Sequence, residues 1–334
     1  MANVNNGRKR NKIRKEKIKK ILTSVILILL FVYLVYEKYG LPIQLPQQQE
    51  QQAEPNIDTE EELILTMIDV WQGDSFLLIQ GDNTALIDCG TRSTGKDVVQ
   101  YLKDYGIKRL DYVFGTHPHD DHMGGMYDVI TNFEIGKIII PDVKEDIVTN
   151  WYLKLMQEIN SGSYIVEHPT VGNVYYLGDA SLKVIGPISE PNGNLNNYST
   201  VLKVTYGEMD VIMTGDAETK VEKDIIESGE YIDAEILKVG HHGSDTSTSS
   251  IFLDAINPEY ALISCKVGNK YNHPIKITMD KLKRKNVTVY RTDENGTVTA
   301  VISPKSVIFD CEPGDYLSGT DVKEREDTQW KAMQ

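Results

Sequence analysis

Cysteine is scarce in this chain, with three among 334 residues: Cys89, Cys265 and Cys311. So few, and odd in number, they exclude a disulfide framework and leave at most one pair, whose partners the sequence does not fix. There is no repeat period of the kind that builds a solenoid. No basic stripe interleaved with aromatics, of the kind that grips nucleic acid, runs along the chain. Long uncharged apolar runs are limited to one, which excludes a multi-span channel. What the chain does hold is 40% hydrophobic side chains, enough to bury one large core or two ordinary ones.

Charge is spread unevenly. Nine of the 35 Lys and Arg lie in residues 1–20 against Glu16 alone, which leaves the rest of the chain with a surplus of 22 acidic side chains. Directly behind the basic arm comes ILTSVILILLFVYLVY, Ile21 to Tyr36, free of charge and followed by Glu37 and Lys38. A positive flank and then an apolar run is the order of a membrane signal. Sixteen residues fall short of the roughly 20 that span a bilayer core. Snorkelling Lys20 and Lys38, with Tyr33, Tyr36 and Tyr39 as interfacial anchors, cover the shortfall. The segment YEKYGLPIQLPQQQ that follows offers no small-x-small cleavage site, so a retained transmembrane anchor is expected over residues 21–40 rather than a cleaved signal peptide or a core helix. The positive-inside bias assigns residues 1–20 to the cytoplasm and everything past about residue 40 to the outside. The expectation is a single-pass cell-membrane protein with its body extracellular.

Residues 41–61, rich in Gln, Glu and Pro, read as an extended solvated stalk. Residues 312–334 read as a loose polar tail. Between them, over 62–311, short β-branched runs alternate with helical patterns. LILTMID, SFLLIQ and TALIDCG predict strands, TGKDVVQYLKDYG a helix, LDYVFGT a strand, and KEDIVTNWYLKLMQEI a further helix. In the second half ASLKVIG, STVLKVTYG, MDVIMTG and AEILKVG predict strands, AETKVEKDIIESG and IKITMDKLKRK helices. Two β-rich halves, each with its own helices, predict an α+β body with sheets inside and helices outside.

The stretch THPHDDHMGG, Thr116 to Gly125, gathers three of the seven His of the chain where a strand gives way to a loop. His117 and His119, two apart in extended chain, point the same way and can share one cation. Asp121 and His122, at the start of the next helix, can reach a neighbouring one. Imidazole and carboxylate suit zinc, manganese or iron, and nothing calls for thiolate. VIMTGDAE ends another strand and presents Asp216, as a carboxylate bridging two ions, as the N-cap of the following helix, or as both. ILKVGHHGS ends a third strand and offers His241 or His242. His273, in YNHPIK, can reach a substrate phosphate or protonate a leaving oxygen. Gly243 and Ser244 can bind phosphate at a helix start. His168, in the Pro-bounded VEHPTVG, is read as an ordinary loop side chain.

Taken in order, VWQGDSFLLI, ALIDCG, THPHDDHMGG, NNYSTVLKVTYG, VIMTGDAE, LKVGHHGS, NKYNHPIK and VYRTDENGTVTAVI resemble the metallo-β-lactamase-fold superfamily, and within it the ComEC-like branch of competence-protein hydrolase domains. The resemblance runs from about Leu63 to Val307. It implies a metallo-β-lactamase-like αββα sandwich with two metals at one edge, held by His117, His119, Asp121, His122, a bridging Asp216 and one His of HHGS. Many members carry a further His on the first ion where this chain writes NNYST. Asn197 and Ser199 are expected to face the substrate there instead, with the first ion weakly held or dependent on substrate. Trp71 stands where the branch has a small residue, which predicts a narrower mouth.

Paired divalent ions about 3.5 to 4 Å apart lower the pKa of bound water to about 7 and supply hydroxide at neutral pH. The expected function is therefore a metal-dependent phosphodiester hydrolase using two divalent ions, zinc ahead of manganese or iron, with Asp121 and His273 as catalytic groups. Its substrate is expected in nucleic acid or a cell-envelope component, although the acidic body disfavours polyanions. Carboxylic esters or lactones are the alternative substrates, and a metal-binding envelope scaffold is the non-enzymatic alternative. No partner protein is evident.

Overall fold

Alternation along the strands decides the layering. In β1 (Leu63–Met67), Leu63, Leu65 and Met67 turn into the space between two sheets, while Ile64 turns outward into a separate cluster. Both faces are buried, which is why the strand reads as continuous apolar sequence rather than as polar alternation. The structure, a computed structural model, describes residues 61–332, with side chains through residue 328. The basic arm, the apolar run expected to be an anchor and nearly all of the stalk lie outside the described residues. Among the described residues no helix is long and apolar enough to cross a membrane.

The first sheet takes β1, β2 (Phe76–Gln80), β3 (Asn83–Ile87), β4 (Arg109–Phe114), β5 (Glu134–Ile139) and β6 (Val166–Glu167). The second is built from β7 (Val174–Leu177), β8 (Ala180–Gly186), β9 (Val201–Tyr206), β10 (Met209–Met213), β11 (Ile236–Lys238), β12 (Tyr260–Ile263) and β13 (Thr288–Arg291). The chain then returns β14 (Val298–Ser303) and β15 (Ser306–Phe309) to the first sheet, giving it the order β15-β14-β1-β2-β3-β4-β5-β6 against β13-β12-β11-β10-β9-β8-β7. Strands β3 to β6 run parallel, as do β10 to β13.

Helices cover both outer faces. Against the first sheet lie α1 (Gly95–Asp104), the short α2 (Asp120–Met123) and α3 (Met126–Ile130), and α4 (Asn150–Ser161); Val98, Leu102, Val129 and Leu155 pack with Ile64, Leu77 and Leu86. Against the second lie α5 (Thr219–Glu227), α6 (Ser250–Ile256) and α7 (Lys276–Arg284), through Val221, Ile225, Phe252, Leu253, Met279 and Leu282. The αββα sandwich expected from the sequence is the observed architecture.

Two local expectations are corrected, and one strand is added. Helix α4 begins at Asn150, not in KEDIV, because the Lys144 amide donates instead to the Tyr198 hydroxyl at 3.0 Å. Strand β7 has clean alternation, with Tyr175 and Leu177 buried and Val174 and Tyr176 exposed, but is too short for pattern alone to reveal. After the turn α8 (Thr292–Asn295), the tail expected to be loose carries α9 (Gly319–Ala332). Val322 is fully buried, Arg325 pairs with Glu294 and Asp315, and the Gly319 amide donates to the Pro274 carbonyl at 2.9 Å. The buried Arg291 reaches the Leu317 carbonyl from β13. A polar helix held by so few anchors has no apolar stripe to announce it. All three cysteines are unpaired.

Candidate metal centre

Parallel strands end together, and their carboxyl ends converge on one edge of the sandwich. Asp74 follows β1, Asp88 follows β3, His117 to His122 follow β4, Asp216 follows β10, and His241 and His242 follow β11. The β1–β2 loop closes tightly over this edge. Gly73 has φ +147°, a Cβ there would lie 2.4 Å from the Asp121 carbonyl oxygen, and the adjoining Asp74 amide donates to that same oxygen at 3.0 Å. Any side chain at position 73 would push this loop off the helix that carries Asp121 and His122.

Among the described residues four groups of donor atoms lie each within 4.8 Å. Two, Asp74 with Asp216 and His242 and Asp74 with Asp88 and His122, are wholly buried, and the two clusters that include a partly exposed ligand are His117 with His119 and Asp216, and Asp121 with His122 and His242. Asp216 lies between them. Its Oδ2 is 3.8 Å from His117 Nε2, 3.2 Å from His122 Nε2 and 3.6 Å from His242 Nε2. His242 therefore joins the second cluster. His241, on the same left-handed turn (φ +52° and +54°), remains partly exposed, with Nδ1 3.1 Å from the Thr246 hydroxyl and Nε2 3.6 Å from Asp216.

Three of the imidazoles, His117, His122 and His242, are aimed by a partner on the far nitrogen, the arrangement that fixes metal-ligating histidines. His122 Nδ1 donates to Asp88 Oδ2 at 2.7 Å, and Asp88 also accepts from the Thr116 amide and hydroxyl at 2.8 and 2.7 Å. His242 Nδ1 donates to the Ser264 carbonyl at 2.9 Å. His117 Nδ1 is held by the hydroxyls of Thr116 and Ser199 at 3.1 and 3.2 Å, which turns Nε2 towards His119 Nδ1, 3.0 Å away. Lys238, fully buried, bonds Asp74 Oδ2 at 2.5 Å and the Gly215 carbonyl at 2.9 Å. It thereby ties the β1–β2 loop to the strand end that presents Asp216.

The electrostatics follow from burial opposed by charge. Desolvation alone would push His122 and His242 down, but Asp216 with Asp88, and Asp216 with Asp74, hold His122 well above its ordinary value and His242 at about 9. Burial pushes His117 well below the imidazole range and lowers His119. Against its own burial, Asp216 is held well below the carboxylate range by His122 and His242. Lys238, likewise against burial, is raised by Asp74 and Asp216. Four carboxyl groups face one ammonium here, so their charge is balanced either by protons taken up on His122 and His242 or by added cations.

The donor atoms fit divalent cations. Among the described residues His122 Nε2 and His242 Nε2 are buried with no well-formed hydrogen bond, only the Asp216 carboxylate oxygen 3.2 and 3.6 Å away, and Asp216 Oδ1 is likewise buried and unsatisfied. Buried polar atoms are ordinarily satisfied, so orphans gathered at one point mark a missing ligand.

The remaining site candidates sort by position. His273 lines the 290 Å³ cavity over the clusters, with Nδ1 buried and without a hydrogen-bond partner among the described residues. Ser199 is fully buried and accepts from the Asp216 amide at 3.0 Å, so it braces His117 and Asp216 rather than facing a substrate. Asn197 accepts from the Glu218 amide at 3.2 Å, and its neighbour Asn196 lines the cavity instead. No helix begins at Gly243 or Ser244: the next start is Ser250, and Gly243 abuts Pro274 while Ser244 bonds Thr246 and Thr278. Asp216 is not an N-cap, since α5 begins at Thr219 behind Glu218. His168 lies in a separate cleft, its Nδ1 donating to the Ile140 carbonyl at 2.9 Å. His168→Ala is accordingly expected to leave the metal content of the purified protein unchanged, and elemental analysis that finds an equivalent lost would contradict this placement. Asp74, Asp88 and Lys238 stand outside the residues expected from the sequence, although QGDS, IDCG and a lone Lys in the apolar run EILKV are visible signals.

The family model described as the metallo-β-lactamase superfamily matches residues 68–266. ComE operon protein 3 of Bacillus subtilis is 31% identical over 255 residues, 70% of this chain and 32% of that protein. Competence protein ComA of Neisseria gonorrhoeae is 28% identical over 246 residues, 73% of this chain and 33% of that protein. The chain thus spans about a third of the length of these relatives. Among solved structures, a mutant of the β-hydroxylase CmlA aligns with a TM-score of 0.50 at 14% identity, over 71% of this chain and 53% of that one. The unmutated enzyme is described as a diiron β-hydroxylase from Streptomyces venezuelae. At that identity the likeness is one of fold.

Proposed function

The chain belongs to the metallo-β-lactamase superfamily, and on that premise we propose that it is a membrane-anchored, extracellular metal-dependent hydrolase of phosphodiesters. The carrying observation is the set of orphaned, buried donor atoms on His122, His242 and Asp216. His117, His119 and Asp216 would hold one divalent cation, and Asp121, His122, His242 and the shared Asp216 the other. Bound there, such ions lower the pKa of water and stabilise the charge that develops on a phosphoryl oxygen. Zinc suits the nitrogen and oxygen donors; manganese and iron use the same ligand types.

The residues of the chain supply the rest. Asp88, Ser199 and the Ser264 carbonyl fix the rings, so little reorganisation remains when substrate arrives. His273, whose side chain lines the cavity, is placed to exchange a hydrogen bond or a proton with the leaving oxygen. Every residue lining the cavity bears a polar or ionisable group, with His119, Asn196, His241 and His273 around the carboxylates and Tyr271 as the lone large aromatic. That lining favours a charged phosphoryl group over an acyl chain or a lactone ring. The basic arm and the apolar run at 21–40 support the anchor and the outward placement of the body.

The test is metal analysis of the full chain in detergent together with turnover of bis-p-nitrophenyl phosphate, a lactone and a thioester. Two equivalents of metal and chelator-sensitive phosphodiester turnover are expected. Turnover confined to lactone or thioester would move the substrate class, and metal without turnover on any of them would leave a scaffold. Protease added to intact cells is expected to cut between Gln47 and Gln52, and protection of that segment would reverse the topology.

A further inference from the structure

Trp71 has a φ of +65°, in the left-handed region that a bulky side chain seldom adopts. Its indole is nonetheless 52% exposed, so burial does not offset the unfavourable backbone. An outlier of this kind, two residues ahead of the glycine whose backbone presses on Asp121, points to a task at the site. Lys266 Nζ lies 4.6 Å from the centre of the indole, and the Lys266 amide donates to Gln72 Oε1 at 3.4 Å, which fastens the loop after β12 to the loop that carries Trp71. The other end of this loop reaches the cavity. Tyr271 lines it and stacks on His273 at 5.4 Å, with Lys270 Nζ 4.6 Å from the phenol ring. Lys323 of α9 lies against Gly268 in the same loop. An acidic body thus carries two lysines, Lys266 and Lys270, along one loop beside the metal centre, with an indole left open at its edge.

We propose that Trp71 is a specificity-determining residue that stacks on a planar base next to the scissile phosphodiester, with Lys266 and Lys270 meeting the flanking phosphates, so that the preferred substrate is single-stranded nucleic acid. The assignment rests on the phosphodiesterase reading and narrows it. A base in a duplex has both faces covered and cannot lie on the indole, whereas every unpaired base presents a π-face. A polyol phosphate of the cell envelope offers the lysines their phosphates but gives the indole nothing to stack on.

The test compares the full chain with Trp71→Gly, a variant suited to fold because glycine adopts φ +65° freely. Binding of a thymidine octamer and of an abasic octamer with the same number of phosphates is measured by fluorescence anisotropy of labelled oligomers, and cleavage of each is followed separately. Trp71→Gly is expected to weaken the thymidine octamer about tenfold and leave the abasic octamer unchanged, while Lys266→Gln weakens both alike. Equal affinity of the two proteins for the thymidine octamer, equal losses on both octamers, or a wild-type preference for the abasic one would overturn the proposal. Trp71-dependent binding with neither octamer cut would leave the stacking role standing and remove the phosphodiesterase reading; cleavage that ignores Trp71 would do the reverse.

Discussion

Asp216→Asn is expected to reduce bound metal from two equivalents to one at most. It should also cut turnover of bis-p-nitrophenyl phosphate by more than the roughly 10–100-fold that loss of an outer partner costs a metal site. The reason is positional. One oxygen of Asp216 lies within 3.2 to 3.8 Å of three imidazoles drawn from both clusters, so both proposed ions depend on its charge. Asparagine keeps the shape and leaves untouched the backbone amide that donates to Ser199. The fold should therefore survive, and a loss of metal reports on the carboxylate alone. Elemental analysis and steady-state kinetics on one preparation check both halves. Unchanged metal content with unchanged turnover would mean that the two clusters do not share Asp216.

The second large effect is on stability. Lys238→Met retains the buried aliphatic stem but leaves Asp74 without the ammonium 2.5 Å away, and Asp74 is only 1% exposed. Breaking a buried pair by removing one partner costs about 3–5 kcal/mol, whereas replacing both is near neutral. Urea unfolding of chelator-treated protein should show that loss for Lys238→Met and recovery of most of it in Lys238→Met with Asp74→Leu. A single variant as stable as the parent would show that water or a rearranged His242 already satisfies Asp74. Equal losses in the single and double variants would show that Lys238 acts through packing instead.

The sandwich was legible in the sequence because its central strands, such as β1 and β2, are buried on both faces and its helices carry apolar stripes, as in α1 with Val98 and Leu102. The first ligands were legible because His117, His119, Asp121 and His122 are local, set on one strand end and the helix behind it. What stayed hidden depends on contacts between distant positions. Asp88 matters because His122, 34 residues on, donates to it. Lys238 matters because the β1–β2 loop folds back onto it. A choice between His241 and His242 could not be made from an adjacent pair, since a left-handed turn sends one ring into the second cluster and leaves the other at the rim. The same dependence explains Ser199. Its place beside a motif suggested substrate, and its burial makes it a brace. The closing helix α9 carries one buried valine and two ion pairs of one arginine, too little pattern to separate it from a loose tail.

The most direct measurement is anomalous X-ray diffraction from crystals of the protein grown with zinc. Two peaks are predicted, one on each side of the Asp216 carboxylate, the first in contact with His117 and His119 and the second with Asp121, His122 and His242. A single peak away from Asp216, or a well-ordered cluster of these side chains with no peak at all, would contradict a shared two-cation centre.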